Sequence, residues 1–189
     1  MPIISFNNEC DTPTNQSQPM LTEPIPVKIQ LNPGASMPVK AHADDTGLDI
    51  RALSISYRVW DIINRCWRTC DPRQGSRPRH VPWQAVIDTG VHLQPPAGWG
   101  FEARPNSRNR DHLFRWAFSP GTIDGNYTGS IKVTLEPRYE WVDYDDVPKT
   151  GEVCGQLKLE KVHQIKLTQV DHLTPTDRGT GGFGSTATP

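Results

Sequence analysis

Residues 27–31, VKIQL, alternate apolar and polar side chains, the period of a half-buried strand. QAVIDTGVHLQ, GWGFEARP, GSIKVTLE and CGQLKLEKVHQIKL carry the same alternation or a high share of β-branched residues. PVKAHADDTGLDIRALS mixes a turn with two short extended pieces. Turn chemistry separates the runs at PPAG, SPGTIDG and PKTGE. TIDGNYTG reads as a hairpin, with a turn around Asp124–Asn126 leading into SIKVTL. Many short strands in a chain of this size predict an all-β sandwich or barrel.

One segment breaks the rhythm. Residues 56–82 hold six arginines and two tryptophans. VWDIINRCW places Val59, Ile62, Ile63 and Trp67 near one face of a short helix, and 71–82 reads as a loop. Arginine and tryptophan suit a protein contact, and this insertion is the candidate surface for a protein partner. A nucleic-acid contact uses the same residue types, but it is the less favoured reading. The first 24 residues are rich in Asn, Gln, Thr and Pro and read as a disordered arm. The body is assigned to 25–173, and 174–189 to a second flexible arm.

Composition narrows the classes. With 18 prolines and 15 glycines among 189 residues, long helices are disfavoured. A formal net charge of -1 argues against a polybasic protein while leaving room for a local basic pocket. No apolar run reaches membrane-spanning length, and the start lacks a secretory layout. The expected setting is therefore cytoplasmic, with no membrane partner. The four cysteines form no disulfide framework, and Cys66, Cys70 and His80 match no strong zinc spacing.

Five stretches carry candidate chemistry. ADDTGLDIRA, 43–52, sets Asp44, Asp45 and Asp49 around a glycine turn that can face a hydrated cation. ARPNSR, 103–108, places Ser107 and Arg108 where hydroxyl and guanidinium groups can meet phosphate oxygens. GTIDGNYTGSI, 121–131, offers Asp124 as a general base and Tyr127 as an aromatic platform. GEVCGQL, 151–157, opens a strand with Gln156. RGTGGFGST, 178–186, combines Arg178, glycines whose amides can approach an anion, Phe183 for stacking, and the hydroxyls of Ser185 and Thr186.

In this order the five stretches resemble the motifs of the trimeric dUTP diphosphatase (dUTPase) family, phage or viral members included. IDTGVHLQPPAGW, 87–99, is similar to that family's approach to its second motif. The resemblance implies a jelly-roll-like β-barrel with flexible N- and C-terminal arms, assembled as a homotrimer with shared active sites. It implies hydrolysis of dUTP to dUMP and pyrophosphate with Mg²⁺. Asp124 would activate water and hold the sugar 3′-hydroxyl. Tyr127 would pack on the deoxyribose, and the backbone from Gly121 through Ile123 to Tyr127 would read uracil. Asp49 would hold waters around Mg²⁺. Ser107, Arg108 and Gln156 would meet phosphates or the attacking water. Arg178, Phe183, Gly184, Ser185 and Thr186 would close over the ligand as a lid, in a host cytoplasm if the source is viral. Asn106, Thr128 and Val153 stand where the family usually has arginine. Two other readings remain open: a nucleotide-gated protein-interaction module on the same fold, and a dCTP deaminase.

Overall fold

The computed structural model describes residues 23–71, 81–106 and 113–180. Among these, the chain forms eleven strands. They are β1 (Lys28–Leu31), β2 (Leu48–Arg51), β3 (Ser54–Asp61), β4 (Cys66–Cys70), β5 (Trp83–Asp88), β6 (Val91–Gln94), β7 (Trp99–Arg104), β8 (Phe114–Trp116), β9 (Gly121–Ile123), β10 (Lys132–Pro137) and β11 (Val153–Lys161). A five-stranded sheet runs in the order β4-β3-β5-β10-β8, and a four-stranded sheet in the order β2-β11-β7-β9. β1 and β6 form a separate two-stranded ribbon. Every pairing is antiparallel.

The strand alternation read from the sequence sets the two faces. On β5, Trp83, Ala85 and Ile87 are buried in the core, while Val86 and Asp88 turn the other way. Ile50, Phe101, Ala103 and Leu157 bring the second sheet into the same cluster as Val133 and Leu135 from the first. At about 25 cal/mol per Å² of apolar surface removed from water, such a two-sided core is the main source of stability. One end is closed by aromatics. Trp83 lies 4.5 Å from Tyr144 and 5.9 Å from Phe114, centroid to centroid, in edge-on arrangements. Tyr144 belongs to a single 3-10 turn, Tyr144–Asp146, capped by the Asp143 carboxylate.

Three expectations need correction. Residues 59–67 form no helix: β3 and β4 make an antiparallel hairpin with Trp60 opposite Trp67. The Asp61 carboxylate closes its tip, accepting from the N–H groups of Ile63 and Asn64 at 3.0 Å each. Helical spacing of Val59, Ile62, Ile63 and Trp67 was matched by chance, because the two isoleucines occupy the turn. QAVIDTGVHLQ is two strands, broken at Thr89–Gly90, where Gly90 has a φ of 65°. Finally, β9 and β10 are not partners. β9 pairs with β7 and β10 with β5 and β8, so TIDGNYTG carries the chain from one sheet to the other. CGQLKLEKVHQIKL is a strand as far as Lys161. Beyond it, residues 162–180 have no strand, and Ile165, Leu167 and Leu173 are exposed.

Candidate functional site

The loop 124–130 leaves the end of β9 and returns into β10. Its first turn is closed by the N–H of Tyr127, which donates to the Asp124 carbonyl at 3.0 Å. The Tyr127 hydroxyl donates to the Ser130 carbonyl at 3.1 Å, so the ring folds back over the loop. The ring lies so close to Gly129 that a Cβ there would sit 2.4 Å from its hydroxyl oxygen. Ser130 is bonded to the Asp88 carboxylate at the end of β5. Burial works to raise the Asp88 carboxyl. The Ser130 hydroxyl, the Gly90 N–H and the Lys132 ammonium outweigh it and hold the group below the usual carboxylate range.

A cavity of about 260 Å³ opens beside this loop. Gly121, Ile123, Asp124 and Tyr127 line it, together with Ala103 and Trp116. Asp124 is exposed, and Tyr127 is 47% exposed, so both can meet a ligand. Trp116 was not singled out from the sequence. Its position follows from the pairing of β8 with β10, and strand partners distant in sequence carry no local signal.

A second group lies elsewhere on the four-stranded sheet. Gln156 sits opposite Asp49 on β2 and opposite Arg104 on β7. Direct cross-strand partners share a face, so carboxylate, amide and guanidinium form one row. Gln156 donates to the Pro105 carbonyl at 3.1 Å and thereby holds the chain just beyond β7. Gly47 leaves room for it, since a Cβ there would lie 2.3 Å from the Gln156 amide oxygen. The Arg104 guanidinium is turned back to Glu102, its Nε donating at 2.8 Å.

The two groups are not adjacent within one chain. Continuing the β7–β9 register puts Asp124 opposite Gly100, about 13 Å of strand from Arg104. Gln156 stands two strands across from β9, roughly 10 Å in the perpendicular direction. Arg178 is exposed on a turn near the end of the described chain. Ser107, Arg108, Phe183, Gly184, Ser185 and Thr186 lie outside the described residues. Among the described residues, no three His, Cys, Asp or Glu side chains converge. No helix of the described residues is long and apolar enough to cross a membrane.

A two-sheet antiparallel β fold with a cavity at a sheet-to-sheet crossing defines the class: a jelly-roll-like fold. Solved structures share it. The dUTPase of Staphylococcus bacteriophage 80alpha, with dUPNHPP, aligns with a TM-score of 0.62 and 19% identity, over 85% of this chain and 97% of that one. The dUTPase of phage phi11 of S. aureus aligns with a TM-score of 0.55 and 18% identity, over 78% and 97%. No family model matches the chain. Sequence relatives do. The deoxyuridine 5′-triphosphate nucleotidohydrolase of Picosynechococcus sp. is 31% identical over 164 residues, which are 85% of this chain and 96% of the relative. That of Clostridium acetobutylicum is 30% identical over 164 residues, 86% and 97% of the two chains. The chain belongs to the dUTPase family and is a hydrolase of nucleotide metabolism.

Proposed function

We propose that the protein hydrolyses dUTP to dUMP and pyrophosphate, with Asp124 as the general base. The observation that carries this reading is the cavity rimmed by Gly121, Ile123, Asp124 and Tyr127, in a chain of the dUTPase family. The backbone from Gly121 to Tyr127 reads the uracil edge. Tyr127 packs on the deoxyribose and leaves no room for a 2′-hydroxyl. Asp124 accepts a proton from water as the water oxygen bonds to the α-phosphorus. The bond from that phosphorus to the bridging oxygen breaks, and pyrophosphate departs. Gln156 orients the water or a phosphate oxygen, and Ser107 and Arg108 bind the phosphate chain. Arg178, Phe183, Gly184, Ser185 and Thr186 close over the ligand and exclude bulk water.

Asp49 belongs to no group of three or more His, Cys, Asp or Glu side chains among the described residues. That donor set fits a Mg²⁺ held mainly by phosphate oxygens and water, with Asp49 in contact through water. When bound, the ion supplies charge neutralisation on the phosphate chain. The phi11 dUTPase is described with a structural Mg(II) ion.

We also infer a homotrimer with sites shared between subunits. The separation of Asp124 from Gln156 supports it, since one water cannot touch both within a chain. The exposed apolar residues Ile165, 79%, and Leu167, 91%, support it as well, because a neighbouring subunit would cover them. The proposed setting is the cytoplasm, where this substrate class is made.

Pyrophosphate release from dUTP, dTTP, dCTP and UTP tests the activity. Release selective for dUTP, reduced about a hundredfold to ten-thousandfold in Asp124→Asn, is the expected result. Ammonia release from dCTP would replace this reading with a deaminase. No release with tight Mg²⁺-dependent dUTP binding would favour a nucleotide-gated binding module. One observation gives that second role a surface. The tip of the β3–β4 hairpin exposes Ile62, 67%, and Ile63, 91%, on an ordered support. Deleting 60–79 would then abolish dUTP-dependent partner capture and leave hydrolysis intact.

A further inference from the structure

Residues 124–130 are tied down at both ends. At the start, Gly125 packs against the Trp99 carbonyl, where a Cβ would approach to 2.3 Å. At the far end, Ser130 bonds Asp88, and the N–H of Ile131 donates to the Val91 carbonyl at 2.9 Å. Between these anchors Asn126, Tyr127 and Thr128 are exposed, with the Tyr127 ring folded back onto the loop. The middle is reached by a half-buried side chain from another element. His92, on β6, places Nδ1 2.9 Å from the Thr128 carbonyl oxygen. A carbonyl can only accept, so Nδ1 carries the hydrogen. On the other side of the ring, Nε2 faces the Asn32 side-chain amide at 3.2 Å; with the hydrogen on Nδ1, Nε2 accepts and the amide NH2 is the group that donates to it. Asn32 is itself fixed, its N–H donating to the Gly90 carbonyl at 2.9 Å. The ring is therefore braced between the β1–β6 ribbon and the residue that follows Tyr127.

We propose that His92 is a positioning residue for the sugar-reading loop. It fixes the Thr128 carbonyl and thereby the height of the Tyr127 ring above the ligand. This inference rests on the reading of Tyr127 as the group that rejects a 2′-hydroxyl. Steric rejection needs a wall that does not yield; the bonds of Tyr127 to Asp124 and Ser130 lie within the loop itself, and His92 ties its middle to another element. His92 touches no reacting atom. Its contribution is to discrimination between dUTP and UTP rather than to the proton transfer.

The test compares kcat/KM for dUTP with kcat/KM for UTP in full-length wild type, Tyr127→Ala, His92→Leu, His92→Asn and His92→Gln, with Tm beside each. His92→Leu is expected to lower the dUTP/UTP ratio roughly fivefold to tenfold, the size of one lost hydrogen bond. His92→Asn keeps an N–H near the position of Nδ1 and is expected to hold the ratio within about twofold of wild type. His92→Gln keeps a polar side chain but moves its donor toward the Nε2 position, so it behaves like leucine. It also carries the test should His92→Leu not fold. A ratio unchanged in both His92→Leu and His92→Gln overturns the proposal. So does an equal loss in His92→Asn, which would mark a packing role. If wild type discriminates but Tyr127→Ala discriminates equally well, the Tyr127 reading fails and takes this inference with it. If Tyr127→Ala loses discrimination and the leucine variant keeps it, only the inference fails.

Discussion

Gly129 shows how tightly the candidate site is specified at the level of single atoms. A methyl group there would meet the Tyr127 hydroxyl oxygen at 2.4 Å and Cζ at 2.5 Å. The ring would have to leave its present position, while the half-buried loop backbone, outside the core, would lose little. Gly129→Ala is therefore expected to raise KM for dUTP about tenfold and to reduce rejection of UTP. Its Tm should stay within a few degrees of wild type, and steady-state kinetics beside thermal melting checks both. Asp88 gives a second prediction. Its carboxyl lies below the usual range in the folded protein, through Ser130, Gly90 and Lys132 acting against burial. A depressed folded value stabilises above the unfolded value of about 4, and the contribution is lost as pH falls through the folded value. Stability should fall on acidification below about pH 4. Part of that fall should disappear in Asp88→Asn, as read by Tm against pH. An equally steep fall in the variant would assign the acid sensitivity to other carboxylates.

The elements were legible where the local pattern was also the global one. VKIQL, GWGFEARP and the first half of CGQLKLEKVHQIKL fold as strands because their alternation matches a sheet with one face in the core. The hairpin of β3 and β4 was hidden because a turn rich in isoleucine imitates a helical stripe. Asp61 was the usable signal: a carboxylate that accepts from two N–H groups ahead of it makes a turn, as it does here. The partners of β9 were not legible at all. Adjacent strands usually pair, and only packing between the two sheets sends β9 to β7 and β10 to β5. For the site, Gly121, Ile123, Asp124 and Tyr127 could be read as one unit because they are contiguous. Trp116 and His92 could not, since the one lines the cavity and the other meets Thr128 from strands distant in sequence. The hairpin supplies its own prediction. Arg65 holds a φ of 50°, in the left-handed region that disfavours a side chain. Arg65→Gly should stabilise the protein by up to about 1 kcal/mol, a rise in Tm of about 2 °C. A lower Tm would mean that the arginine side chain contributes more than its backbone strain removes.

At the scale of the whole molecule, one chain carries two groups of candidate residues set apart along and across the four-stranded sheet. Asp124 and Tyr127 stand at the cavity beside β9, while Asp49, Gln156 and Arg104 form a row on β2, β11 and β7. If dUTP meets both groups around one phosphorus, as proposed, the second half comes from a neighbour in a closed ring. Mixing makes this testable. Asp124→Asn and Gln156→Ala are each expected to be nearly inactive as pure assemblies. If a site draws Asp124 from one subunit and Gln156 from the next, co-refolding equal amounts gives sites in which both residues are native. With random assembly, each contributing subunit is the right variant half of the time, so roughly a quarter of sites are restored. Recovery near that fraction, with no recovery on mixing the folded proteins without subunit exchange, would establish shared sites. No recovery in co-refolded trimers would place Asp124 and Gln156 in the same chain's site.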